Sequence, residues 1–138
     1  MLVCRLPSPR QYFSKLALAT TVTWLMATGV ASADDNSAAA ASLPVVSMAA
    51  LPTQAQHTEA AIRQGGPFRY ANDGGVFGNR ERLLPAQPRG YYREYTVKTP
   101  GVRDRGARRI VCGGSQPTRP QSCYYTADRY ASFARIVQ

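Results

Sequence analysis

The sequence predicts an α+β domain, one N-terminal helix packed on an antiparallel β-sheet. One segment, LPTQAQHTEAAIRQGG from residue 51, opens with a proline, runs through good helix formers and stops at two glycines. After it no helical period recurs. Instead four runs rich in β-branched and aromatic residues, YYREYTV, ARRIVC, CYYTA and ASFARIV, alternate with turn residues and read as strands.

Taken in order, the first residues MLVCRLPSPRQYFSK carry Arg5, Arg10 and Lys15 and no acid. An apolar run from Leu16 to Ala31 follows, and Ala31-Ser32-Ala33 precedes Asp34. That order is the pattern of a signal peptide with cleavage after Ala33. The apolar run is interrupted by four threonines and falls short of the roughly 20 residues a spanning helix needs. Residues 1–33 are therefore read as a signal peptide. The expected location is secreted or periplasmic, with no stable membrane association after cleavage. Residues 34–50 are read as a flexible leader in which Val45 and Val46 suit an edge strand, and residues 51–138 as the folded domain. That length suffices for one compact domain and not for two.

Within the helix, Thr53 is the candidate cap and Gly65-Gly66 the stop, with Ala55, Ala60, Ala61 and Ile62 forming a modest apolar stripe. His57 lies on this helix and is read as a solvated surface residue. The stretch PFRYANDGGVFGNRERLLP reads as a loop with a strong turn at Asn72-Asp73-Gly74-Gly75. In the first strong strand, alternation places Tyr92, Glu94 and Thr96 on one face and Tyr91, Arg93, Tyr95 and Val97 on the other. Arg105 and Arg109 reach one face if the chain bends at Gly106, and Glu94 then faces arginines. Such a carboxylate is either an ion-pair partner or a base beside a reacting anion.

The chain has 17 Lys and Arg against 8 Asp and Glu, a net charge of +9. Three of the bases and none of the acids precede Asp34, so the remainder keeps +6. This balance favours an anionic partner and is silent on fold. Tyrosines interleaved with arginines suit single-stranded nucleic acid, where bases stack and phosphates pair. Tyrosines in a small sheet serve equally well as core, and the composition does not separate the two. A membrane-active cationic protein is disfavoured, because the one helix carries little basic charge and a small apolar face. Cys4 falls in the signal segment, which leaves Cys112 and Cys123 to pair in an exported chain. A zinc site needs three or four ligands and His57 is the only histidine, so neither metal nor other cofactor is expected.

The runs GGPFRYANDGGVFGNRERLLP, GYYREYTVKTPGVRDRGARRIVCG and YYTADRYASF closely resemble the small secreted guanyl-specific ribonucleases of bacteria, the family of barnase and its shorter relatives. The resemblance covers about Leu51 to the C-terminus, with one length change between Gly113 and Tyr124. It implies the fold read above and an endoribonuclease that cleaves single-stranded RNA after guanine through a 2′,3′-cyclic phosphate. On that pattern backbone amides around Asn79 and Arg80 bond guanine O6. Glu81 accepts from the two donors on the guanine edge, Phe77 lies against the base, and Gly78 lets the loop approach it. Glu94 corresponds to the base that takes the ribose 2′-OH proton, and Arg105 and Arg109 to the arginines that hold the phosphate. Tyr130 is the tyrosine of the family's DxY motif. A monomer is expected, and the resemblance implies a barstar-like acidic inhibitor as a further partner.

The sequence departs from the family at one catalytic position. Where the family has a histidine that protonates the leaving 5′-oxygen, this chain has Arg129. A guanidinium, with a pKa above about 12, steadies a departing alkoxide by charge and does not donate a proton efficiently. A catalytically inactive RNA-binding protein of the same fold is therefore the alternative. Cys112 and Cys123 flank the inserted loop GGSQPTRPQS, and a bridge between neighbouring strands is expected at a Cα separation of about 5.5 to 6 Å.

Overall fold

A computed structural model describes residues 43–138; the segment read as a signal peptide, and the leader up to residue 42, lie outside them. The helix α1 (Thr53–Gln64) follows a short edge strand β1 (Val45–Ser47) and a 3-10 turn at Met48–Ala50. Five strands come after it: β2 (Gly75–Val76), β3 (Tyr92–Thr96), β4 (Arg109–Gly113), β5 (Ser122–Thr126) and β6 (Ala134–Val137). They form one sheet in the order β1-β6-β5-β4-β3-β2, antiparallel except for the parallel pair β1 and β6. The expected helix-on-sheet architecture is present, with the sheet mixed rather than purely antiparallel. Val45 pairs with Arg135 and Val46 with Ile136, so the edge strand that the two valines suggested extends the sheet beyond Leu51.

Helix α1 begins at its candidate cap rather than after it. Pro52 occupies the N-cap position without a side-chain bond, and Thr53 is already helical. At the other end Gly65 is left-handed, at φ 79°, and the Gly66 and Gly65 amides donate to the Ala61 and Ile62 carbonyls at 2.9 and 3.2 Å. That is a Schellman stop, which glycine adopts without steric cost. The buried stripe is Ala55, Glu59 and Ile62, with Ala60 turned outward. Glu59 is tolerated there because Arg63, one turn on, pairs with it.

Alternation along the strands divides the core into two layers. Tyr95, Ile110, Cys112, Cys123 and Ile136 meet Leu51, Ala55 and Ile62 of the helical layer. Tyr92, Val111 and Tyr124 point the other way and pack with Leu84 and Phe133. Ile110 and Val111 are fully buried on opposite faces, each worth roughly 1.5–3 kcal/mol relative to exposure. One face of the sheet is thus committed to the helix, and the other is left for the loops. Cys112 and Cys123 are register partners on β4 and β5 and are bonded. Their Cα atoms are 4.1 Å apart, closer than expected, because directly facing residues of an antiparallel ladder approach to about 4.5 Å where the pair is not hydrogen-bonded.

Candidate active site

The strand register assembles the polar group on the loop-covered face. Glu94 lies opposite Val111, Thr96 opposite Arg109, and Arg109 in turn opposite Thr126. Glu94, Thr96, Arg109 and Thr126 therefore share one face of three adjacent strands. Glu94 keeps 17 % of its side chain exposed. Its Oε2 accepts from the Tyr130 hydroxyl at 2.6 Å and its Oε1 from Arg105 Nη2 at 3.1 Å. Arg105 is steadied by a bond from Nε to Thr96 Oγ1 at 2.8 Å.

Arg109 is almost wholly buried, at 4 % exposure. Its Nη1 donates to the Arg105, Gly106 and Arg108 carbonyls, holding the bend that returns Arg105 to the sheet. Its Nε has no hydrogen-bond partner among the described residues. The guanidinium carbon lies 5.9 Å from the centre of the Tyr130 ring. One donor of this buried guanidinium is thus left unused, which is uncommon for a buried polar group.

Arg129 and Tyr130 follow β5 with φ values of 55° and 71°, two consecutive left-handed residues. Such a pair is costly for residues with a Cβ, and a hydrogen-bonded frame imposes it here. Thr126 Oγ1 donates to Asp128 Oδ1 at 2.8 Å and accepts from the Tyr130 amide at 3.1 Å. Asp128 also accepts from the Ser132 hydroxyl and amide, at 2.5 and 3.0 Å. The Ser132 hydroxyl, then its amide and the Thr126 hydroxyl, hold the Asp128 carboxyl down at about 2. The Arg129 amide donates to Ala107 at 3.1 Å. Burial first, and then the bond to Glu94, push the Tyr130 phenol above its ordinary range.

The loop at residues 76–81 approaches from the open edge. The short strand β2 pairs Gly75 with Glu94 and Val76 with Arg93, and the Phe77 amide donates to Tyr92 at 2.9 Å. Asn79, left-handed at φ 44°, clamps the loop through its side chain. Nδ2 donates to the Leu84 carbonyl at 2.7 Å, and Oδ1 accepts from the Leu84 amide at 3.1 Å. The Phe77 ring stacks 5.1 Å from Tyr130 and 5.9 Å from Phe133. Gly78, Arg80 and Glu81 are exposed. Phe77 to Glu81, Glu94, Arg129 and Tyr130 all line one open cleft of about 1310 Å³.

The expected site residues thus fall into a single neighbourhood: the loop at one wall of the cleft, Glu94 on its floor with Arg105 bonded to it, Arg129 and Tyr130 at the other wall, and Arg109 buried beside the Tyr130 ring. His57 is exposed on α1, across the sheet from Glu94. Asp73 was legible only as a turn residue, yet its carboxylate is buried and accepts from the Thr96 amide and hydroxyl at 2.8 and 2.6 Å. It also lies 3.7 Å from Arg105, so it fixes the residue on which Arg105 rests. Among the described residues no group of three His, Cys, Asp or Glu side chains comes together as a metal site.

A partly exposed carboxylate held by Tyr130 and Arg105 faces the 77–81 loop across one cleft, and residues 34–137 match the ribonuclease family model. The chain belongs to that family. It is 57 % identical over 91 residues to guanyl-specific ribonuclease Sa3 of Kitasatospora aureofaciens, a match covering 66 % of this chain and 62 % of that protein. To guanyl-specific ribonuclease Sa of the same organism it is 52 % identical over 93 residues, covering 67 % of this chain and 93 % of the relative. Among solved structures it resembles ribonuclease Sa2 with guanosine-2′-cyclophosphate, at 47 % identity and a TM-score of 0.62 over 69 % of this chain and 96 % of that one. A second structure of ribonuclease Sa2, in complexes with mononucleotides, gives 47 % identity and a TM-score of 0.64, covering 70 % of this chain and 95 % of that one.

Proposed function

We propose that this chain is an exported guanyl-specific endoribonuclease that cleaves single-stranded RNA to a 2′,3′-cyclic phosphate. The observation that carries the reading is Glu94, a partly exposed carboxylate held by Tyr130 and Arg105 at the floor of a cleft walled by the 77–81 loop. Glu94 accepts the 2′-OH proton as the oxygen attacks phosphorus. Arg105 and Arg109 meet the non-bridging oxygens, where charge builds in the transition state. The 5′-oxygen departs beside Arg129, whose charge steadies it while water supplies the proton. At the loop, the Glu81 carboxylate accepts from guanine N1–H and the exocyclic amino group, an edge that adenine does not present. Exported location is supported by the signal pattern of residues 1–33 and by the Cys112–Cys123 bond, since disulfides persist in oxidising compartments.

A second reading is favoured by Arg129 itself: a catalytically inactive protein that binds RNA in the same cleft. Incubating the purified protein with single-stranded RNA and analysing the new ends separates the two. Fragments ending in guanosine cyclic phosphate support the enzyme. RNA that survives long incubation while bound supports the binder.

A further inference from the structure

The cleft continues past the 77–81 loop. Its lining runs on through Gln87, Pro88, Arg89 and Gly90, the turn that leads into β3. Tyr92 and Glu94 are two positions apart on the same face, about 7 Å along the strand. Since the 77–81 loop lies beside Tyr92, the order along this face of the sheet is Thr96 with Arg109 and Arg105, then Glu94, then Tyr92 with the loop, then Arg89. The turn is built to hold its position. The Tyr92 hydroxyl donates to the Pro85 carbonyl at 2.8 Å, the Tyr91 amide to Pro88 at 3.1 Å, and the Tyr91 hydroxyl to Gln121 at 3.0 Å. Arg80 and Arg89 both line the cleft, both are exposed, and neither pairs with a carboxylate among the described residues. On this side of the cleft the two arginines outnumber the one carboxylate, Glu81, and the Arg89 side chain has no part in the proposed reaction.

We propose that Arg89, with Arg80 and Gln87, forms a subsite for the phosphodiester on the 5′ side of the bound guanosine, so that the protein favours RNA chains over dinucleotides. The inference rests on the placement of guanosine given above. With the 3′ phosphate at Glu94 and the base at the loop, the 5′ side of the nucleotide is left to run toward Arg89. A guanidinium there offers a forked pair of donors to a phosphate.

The test compares fluorescein-labelled oligonucleotides in which 2′-deoxyguanosine replaces guanosine, so that no nucleophile is present and binding is read without cleavage. A trinucleotide carrying one nucleotide 5′ of the deoxyguanosine is set against the dinucleotide that lacks it. By anisotropy at low salt the trinucleotide binds at least about fivefold tighter, and its salt dependence is steeper by about 0.7 in log–log slope, one extra phosphate's worth. Arg89→Ala removes both differences and leaves dinucleotide affinity within about twofold, while Arg89→Lys retains the slope. Equal affinities for the two lengths in the wild type overturn the subsite, as does a gain that persists in Arg89→Ala. Parallel cleavage of the matching ribonucleotides reports on the enzymatic reading alone: if neither is cut, that reading fails, and the binding comparison still decides the role of Arg89.

Discussion

Replacing Arg129 by histidine tests how much of the reaction this chain forgoes. The site is suited to the exchange. Arg129 sits at φ 55°, a conformation that histidine adopts more readily than most residues. Its backbone bond to Ala107 is independent of the side chain. General acid catalysis is worth about 10² to 10⁴ in rate. Part of that gain is offset, because the guanidinium charge that steadies the departing oxygen is removed. The expected net rise in kcat is about 10- to 100-fold, or about 1.4 to 2.7 kcal/mol of barrier. The pH profile supplies the second readout. In the wild type no imidazole stands at this position, so no descending limb is expected through neutrality. In Arg129→His a descending limb appears near pH ~6.5, where imidazole loses its proton. Initial rates on a guanylyl dinucleotide between pH 4 and 9 measure both. A change of less than about threefold with no new limb refutes the reasoning, because general acid catalysis would then be dispensable or supplied by another group.

Three further outcomes are expected. Tyr130→Phe removes the hydroxyl that donates to Glu94 at 2.6 Å and is expected to lower kcat by about tenfold with little change in thermal stability, read by steady-state kinetics and melting. Reducing the Cys112–Cys123 bond, which closes a separation of 11 residues, costs about 3 kcal/mol in the chain-entropy model, measured by denaturant melts with and without reductant. Asp128→Asn lowers the melting temperature at neutral pH. Because the folded Asp128 carboxyl is depressed from 3.8 to about 2, its contribution is present above about pH 4 and disappears as pH falls toward 2, so wild-type and variant melts converge there.

The parts of the site legible in sequence are those that depend on local periodicity. A two-residue repeat is enough to set Glu94 beside Tyr92 and Thr96 and away from Tyr95. The glycine pair at 65 and 66 is enough to end the helix. What escaped depends on partners distant in the chain. Asp73 looks like any turn residue until β3 arrives 23 residues later to present the Thr96 amide and hydroxyl. Strand β2 is two residues long, too short for any alternation, and exists because β3 offers it an edge. The parallel pairing of β1 with β6 joins segments at opposite ends of the described chain, which no local pattern encodes. Glu59 breaks the apolar stripe of α1, and only its bond to Arg63 explains an inward carboxylate. The loop at 77–81 was recognisable by resemblance, whereas its clamp through Asn79 and Leu84 required the folded chain.

The central claim is that Glu94 removes the ribose proton, and Glu94→Gln addresses it most directly. Glutamine keeps the shape of the side chain and an oxygen to accept from Arg105 or Tyr130, but it cannot take up a proton. A fall in kcat/KM on a guanylyl dinucleotide of about 10² to 10⁴, with the fold unchanged by circular dichroism, is the predicted result. Turnover within about threefold of the wild type would contradict it.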